Sequence, residues 1–99
     1  MQAPPLKIVW SRRAIRHLTA VRSHIERDSD RNAAVLARRI LDAIDLLSAH
    51  PEMGRPGRIV GTRELVVAET PYVIPYRVRQ GRIELIAVFH GRQKWPAKL

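Results

Sequence analysis

Arginine and histidine carry most of the chemistry open to this chain. Lys7, Lys94 and Lys98 are the only lysines among eighteen basic residues, so the other fifteen are arginines. They face nine acidic residues, for a formal net charge of +9 over 99 residues. The guanidinium presents a planar fork of donors that matches carboxylate or phosphate. A surface of this sign favours an anionic partner, whether RNA, DNA or an acidic protein. Codon bias accounts for arginine in place of lysine better than it accounts for the net charge. Among the histidines, His90 follows the apolar run of residues 83–89, and imidazole has the intrinsic pKa for proton transfer near neutrality. Its other reading is a side chain that ends the strand and bonds a neighbour.

Other chemistries find no support. His17, His24, His50 and His90 are scattered, and His17 and His24 lie two helical turns apart, about 10.5 Å at 1.5 Å per residue, too far for one ion. The chain has no cysteine, which removes disulfides and thiolate metal sites and suits a reducing cytoplasm. Gly54-Arg55-Pro56-Gly57 lacks the Gly-Lys-Ser/Thr ending and following helix of a phosphate loop. Arg55 and Arg58 are therefore expected to be solvated or to meet a partner. Ser11, Ser23, Ser29 and Ser48 fall at helical positions or caps, and no nucleophilic triad can be read. No metal or cofactor is expected. No apolar run approaches the roughly 20 residues of a membrane span, and the opening Met-Gln-Ala-Pro-Pro lacks a signal-peptide pattern. The expectation is a cytoplasmic protein that does not contact membrane.

The elements that position these residues follow from periodicity. Length allows one domain, residues 1–99. Residues 6–10 read as a short strand, and Ser11 as the N-cap of a helix. Ile15, Leu18, Val21 and Ile25 recur at helical spacing, with Arg12, Arg13, Arg16, Arg22 and Arg27 on the opposite side. Asp28-Ser29-Asp30 breaks this helix. A second runs over residues 31–49, its stripe formed by Ala33, Ala37, Ile40, Leu41, Ile44 and Leu47, until His50-Pro51 ends it. So short a connection makes the pair an antiparallel hairpin. Residues 51–61 are too rich in proline and glycine for regular structure.

Three strands follow, over residues 62–68, 72–79 and 82–89. Gln80-Gly81 makes a tight turn between the last two, with Gly81 at positive φ. The last strand is apolar on both faces except at Glu84 and is expected in the sheet centre. Pro75 must lie at an edge, a bulge or a bend, because it cannot donate to the ladder. The fold class is α+β, in the order β-α-α-β-β-β, with the hairpin on one face of a small, mostly antiparallel sheet.

That order, with five local segments, resembles the RelE/ParE superfamily of toxins from type II toxin–antitoxin systems. The segments are Ser11-Arg12-Arg13-Ala14, His50-Pro51-Glu52-Met53-Gly54-Arg55, Gly61-Thr62-Arg63-Glu64-Leu65-Val66-Val67, Pro71-Tyr72-Val73-Ile74-Pro75-Tyr76-Arg77-Val78, and Val88-Phe89-His90-Gly91-Arg92 followed by Trp95-Pro96. Each is short, but their order spans about ninety residues. The resemblance implies one of two activities: RelE-like proteins cut messenger RNA on the ribosome, and ParE-like proteins poison DNA gyrase without a known hydrolytic step.

Metal-free RNA cleavage needs a base, an acid and cations for the phosphorane. In RelE-like enzymes an arginine follows the residue opening the second strand of this sheet, where this chain has Val73. Lysines usual on the preceding strand are replaced by Glu64 and Val66, with only Arg63 nearby. His90, Arg92 and Arg63 would be catalytic if the chain were a ribonuclease. The two long helices, Val73 and the absent lysines favour the ParE-like branch. The resemblance also implies a cognate antitoxin, acidic, partly disordered and DNA-binding, whose amphipathic tail folds onto the toxin. Its expected contacts are Ile15, Leu18, Arg22, Ile40, Ile44 and Leu47. Arg77, Arg79, His90, Arg92, Lys94 and Trp95 are the expected contacts for the target, gyrase or alternatively ribosome and mRNA.

Overall fold

The computed structural model describes residues 4–96; the first three residues of the opening run, and Lys98, lie outside them. Chain order is β1 (Lys7–Trp10), α1 (Arg12–Glu26), α2 (Asp30–Ala49), β2 (Arg55–Pro56), β3 (Arg63–Val66), β4 (Tyr72–Arg79), β5 (Arg82–Leu85) and β6 (Phe89–His90). Ser11 caps α1 by accepting the Ala14 N–H at 2.9 Å, and Ser29 caps α2 by accepting the Asn32 N–H at 3.1 Å. Each satisfies a donor that the first turn leaves without an intrahelical partner. The second helix stops at Ala49, before His50-Pro51, as the proline requires.

The strands form one sheet in the order β1-β5-β4-β3-β2, with β6 also beside β4. β1 and β5 pair in parallel, and every other pairing is antiparallel. The helical hairpin covers one face. Ala14, Ile40, Ile44 and Leu47 pack there against Leu65, Ile74, Tyr76, Ile83 and Leu85. Burying each large apolar side chain contributes roughly 1.5–3 kcal/mol. The turn between β4 and β5 places both Gln80 (φ 53°) and Gly81 (φ 71°) at positive φ, the twist that two-residue hairpins favour.

The sheet departs from expectation at two places. The last strand is neither continuous nor central: residues 86–88 leave the ladder between β5 and β6, and β4 occupies the middle. Pro75 explains the break. Its carbonyl accepts the Ile86 N–H at 2.9 Å, so its ring nitrogen faces the same neighbour with no hydrogen to donate. Tyr76 pairs with Leu85 and Val73 with Phe89, which sets three residues, 86–88, against two, 74 and 75. That is a bulge, and α1 serves the backbone groups it frees. The Ser11 hydroxyl donates to the Ile86 carbonyl at 2.8 Å, and His17 Nδ1 accepts the Val88 N–H at 3.1 Å. The second departure is β2, inside the stretch expected to be irregular. Arg55 pairs with Glu64 and Pro56 with Arg63, and proline is tolerated there because β2 is an edge.

Candidate functional site

Strand alternation sends Leu65 and Ile74 toward the helices, so Glu64 and its cross-strand partner Pro75 point to the opposite face. Glu64 is 3% exposed. Arg55 donates from Nε (3.0 Å) and Nη2 (2.9 Å) to its Oε1, and Arg58 donates from its backbone N–H (2.9 Å) and Nε (3.1 Å) to Oε2. Burial pushes the Glu64 pKa up, but the hydrogen bonds from Arg58 and Arg55 outweigh it and hold the carboxyl below its ordinary value. Arg58 then stacks over Trp95, its Cζ 3.5 Å from the ring centroid. Trp95 packs on Phe89 at 4.7 Å between centroids, and Phe89 on His17 at 5.3 Å. Arg55 and Arg58 are thus held by an internal carboxylate, rather than simply solvated. Through Arg58 that carboxylate also holds the carboxy-terminal segment.

His17 is a functional group that sequence reasoning used only to dismiss a metal site. Burial, then the charge of Arg13, hold its pKa below the ordinary value. A neutral ring is what the geometry requires, because only an unprotonated Nδ1 can accept from Val88. Its signal was its place beside Ala14, Leu18 and Val21 on the inward side of α1. Among the described residues, no group of three or more His, Asp or Glu side chains could hold a metal ion. No described helix is long and apolar enough to cross a membrane.

His90 ends β6. Its N–H donates to Gln93 Oε1 at 2.9 Å, its Nδ1 accepts the Arg92 N–H at 3.1 Å, and its ring meets Tyr72 edge-on at 5.7 Å. One ring nitrogen is therefore committed to the turn. Arg92 is exposed next to it. Arg63 is elsewhere: its Nη1 donates to the carbonyls of Gly54 (2.8 Å) and Glu52 (3.3 Å). Arg63 pairs with Tyr76 and His90 with Tyr72, four residues apart along β4, or about 13 Å. The three residues do not converge on one phosphate.

The expected target contacts also divide. His90, Arg92, Lys94 and Trp95 gather at the Tyr72 end of β4, Trp95 half-buried beneath Arg58. Arg77 and Arg79 lie toward the other end, about 16 and 23 Å along the strand. There Arg79 meets Glu84 at 2.8 Å.

On the hairpin, Ile15 is 52% exposed and joins Leu18, Thr19 and Trp10 in a shallow apolar depression. Arg22 stands exposed nearby, paired with Glu26 at 2.9 Å. Ile40, Ile44 and Leu47 must be withdrawn as contacts, since all three lie within the core against the sheet. The stripe that periodicity finds on α2 is the face that folding itself consumes. Leu41 alone of that stripe is exposed, and with Val35 and Leu46 it makes up the exposed large apolar residues of α2. A second groove runs from Ile25, Val35 and Leu36 to Pro71 and Tyr72, bridged by an Arg39–Glu69 ion pair. Only contacts between distant segments reveal it.

Comparison with known proteins agrees with this architecture. The family described as "ParE toxin of type II toxin-antitoxin system, parDE" matches residues 8–95. A Sinorhizobium fredii protein, provisionally named toxin Y4kP, is 45% identical over 93 residues, covering 94% of this chain and 96% of that one. Toxin RelE2 of Caulobacter vibrioides is 39% identical over 85 residues, covering 86% and 94%. A solved structure of the chromosomal ParDE toxin–antitoxin system from P. aeruginosa shares the fold, with a TM-score of 0.78, 23% identity and coverage of 89% of this chain and 98% of that one. With residues 8–95 matched, from β1 to Trp95, this chain belongs to the family of ParE toxins of type II toxin–antitoxin systems.

Proposed function

We propose that this toxin arrests growth by engaging DNA gyrase, with no hydrolytic step of its own, and that a cognate antitoxin in the cytoplasm neutralises it. The observation that carries this reading is the separation of the candidate catalytic residues. Arg63 is spent on two loop carbonyls about 13 Å along β4 from His90. Of the candidate catalytic arginines only Arg92 then remains beside His90 to meet a phosphorane, and Val73 lies buried under the ladder pair with Phe89. For the antitoxin, the Trp10–Ile15–Leu18 depression beside Arg22 suits an acidic amphipathic segment, which would seat apolar residues there and place carboxylates on the arginine. For the target, the exposed Arg92 and Lys94 beside His90 form one basic patch and Arg77 with Arg79 another.

The second reading is a ribosome-dependent endoribonuclease. It is favoured by the adjacency of His90 and Arg92 and by the name of the Caulobacter relative. Induced expression separates the two. Gyrase engagement gives double-strand breaks, an SOS response and a supercoiling defect, whereas the nuclease gives rapid loss of translated mRNA with cuts inside codons. Toxicity undiminished in the His90→Ala, Arg92→Ala double variant defeats the second reading and leaves Arg77 and Arg79 as the target contact of the first. Co-expression of the neighbouring small gene should restore growth, and its failure would sink the antitoxin pairing.

A further inference from the structure

The arginines of α1 stand against the electrostatics of their own helix. A helix amino terminus carries partial positive charge and favours acidic side chains, yet the first turn of α1 holds Arg12 and Arg13 and no acid. Arg16 follows at three and four residues' spacing, where like charges repel. Arg22, Arg38, Arg39, Arg55, Arg58 and Arg79 all meet carboxylates. Among the described residues, Arg12, Arg13, Arg16 and Arg27 meet none; Arg31, Arg63, Arg77, Arg82 and Arg92 also meet none but are spread over other elements. Stability alone would not place three unneutralised cations in the first two turns of a helix; Arg27, at the C-cap, is the one that the dipole favours.

Their arrangement is also one-sided. At about 100° per residue, Arg12, Arg13, Arg16, Ala20, Ser23 and Arg27 fall within one arc of roughly 100°. The arc is all basic or small, and its residues are exposed except the half-buried Arg13. Ile15, Leu18, Arg22 and Glu26 lie on the other flank, so this stripe is separate from the apolar depression. Small residues between the cations leave room for close approach. The arc has no apolar anchor of the kind that seats a protein partner. It also has no free aromatic face for unstacked bases, because His17, Phe89 and Trp95 are packed on one another.

We propose that this face of α1 lies along the phosphate backbone of duplex DNA. The inference goes beyond the gyrase reading and does not depend on it, since DNA binding is measured with gyrase absent. The test titrates the full chain into a short fluorescent duplex across a salt series. It is compared with the Arg12→Gln, Arg13→Gln, Arg16→Gln triple variant and with a charge-matched control, Lys7→Gln, Arg38→Gln, Arg82→Gln.

Each lost phosphate contact flattens the slope of log K against log salt by about 0.9, so the stripe variant should be shallower by about 2.7. It should also bind about tenfold or more weakly at low salt, with the control near wild type. Its melting temperature should not fall, because the replaced cations opposed the helix, and this excludes misfolding as the cause. Equal losses in both variants would reduce the effect to net charge and overturn the proposal, as would no duplex binding by the wild type. Single-stranded RNA bound as tightly as the duplex, or polyglutamate competing equally at matched charge, would overturn the assignment to duplex DNA.

Discussion

Replacing Glu64 by glutamine tests whether one buried carboxylate organises the open face of the sheet. The carboxylate accepts four hydrogen bonds, two on each oxygen. Glutamine keeps one acceptor oxygen and turns an amide NH2 toward two N–H donors, so two bonds are lost and donors are opposed. Charge-assisted bonds are worth about 1.5–3 kcal/mol each, but the Arg55 and Arg58 side chains are 54% and 45% exposed, and water replaces much of what they lose. A net cost of about 2–3 kcal/mol follows, or a fall of roughly 10 °C in melting temperature for a domain of this size. Because the native carboxyl titrates below its ordinary value, it contributes stability above the unfolded-state pKa and loses it as pH falls through the native one. Wild type should therefore destabilise on acidification more steeply than Glu64→Gln. The assay is thermal unfolding across pH, with tryptophan emission reporting whether Arg58 still covers Trp95. A variant within a degree or two of wild type, with the same acid limb, would refute the reasoning.

Four further outcomes are expected. The native pKa of His17 lies below its unfolded value of about 6.5, so its contribution is complete above that pH and declines as pH falls. The urea midpoint of His17→Gln should therefore drop less than that of wild type between neutral and mildly acidic pH. Tyr76→Phe removes a hydroxyl that donates to the Pro51 carbonyl at 2.7 Å and accepts the Gly54 N–H at 3.0 Å. Two stranded backbone groups should cost about 2–4 kcal/mol in denaturant unfolding. Ile40→Ala should destabilise by about 2–5 kcal/mol. Ile15→Ala should change stability by about 0.5 kcal/mol or less while weakening antitoxin binding in calorimetry.

Local signals were readable where one segment determines its own structure. Ser11 and Ser29 capped as their side chains dictate, Pro51 ended α2, and Gln80-Gly81 turned the hairpin. What failed depended on facing partners. Pro75 announced a fault in the ladder, but only the register with residues 86–88 places that fault in the opposite strand. The stripe of Ile40, Ile44 and Leu47 marked an apolar face without saying whether the sheet or a second protein covers it. Glu64 looked like a replaced lysine, and nothing local tied it to Arg55 and Arg58. The candidate surface was legible as charge and only partly as geometry: Arg92 and His90 stayed together, while Arg63, Arg77 and Arg79 went elsewhere along β4.

The parallel pairing of β1 with β5 joins Lys7 to Arg82 and Trp10 to Leu85, nearly the two ends of the chain. Such a contact has high contact order and forms late, because the intervening loop must close first. During synthesis the helical hairpin emerges well before the strand that β1 needs. Until then the hairpin's apolar stripe has no sheet to cover it. Until β5 emerges, the nascent chain is therefore an incomplete precursor with an uncovered apolar stripe. The topology delays completion of the sheet until β5 has been made, because β1 has no other strand neighbour among the described residues.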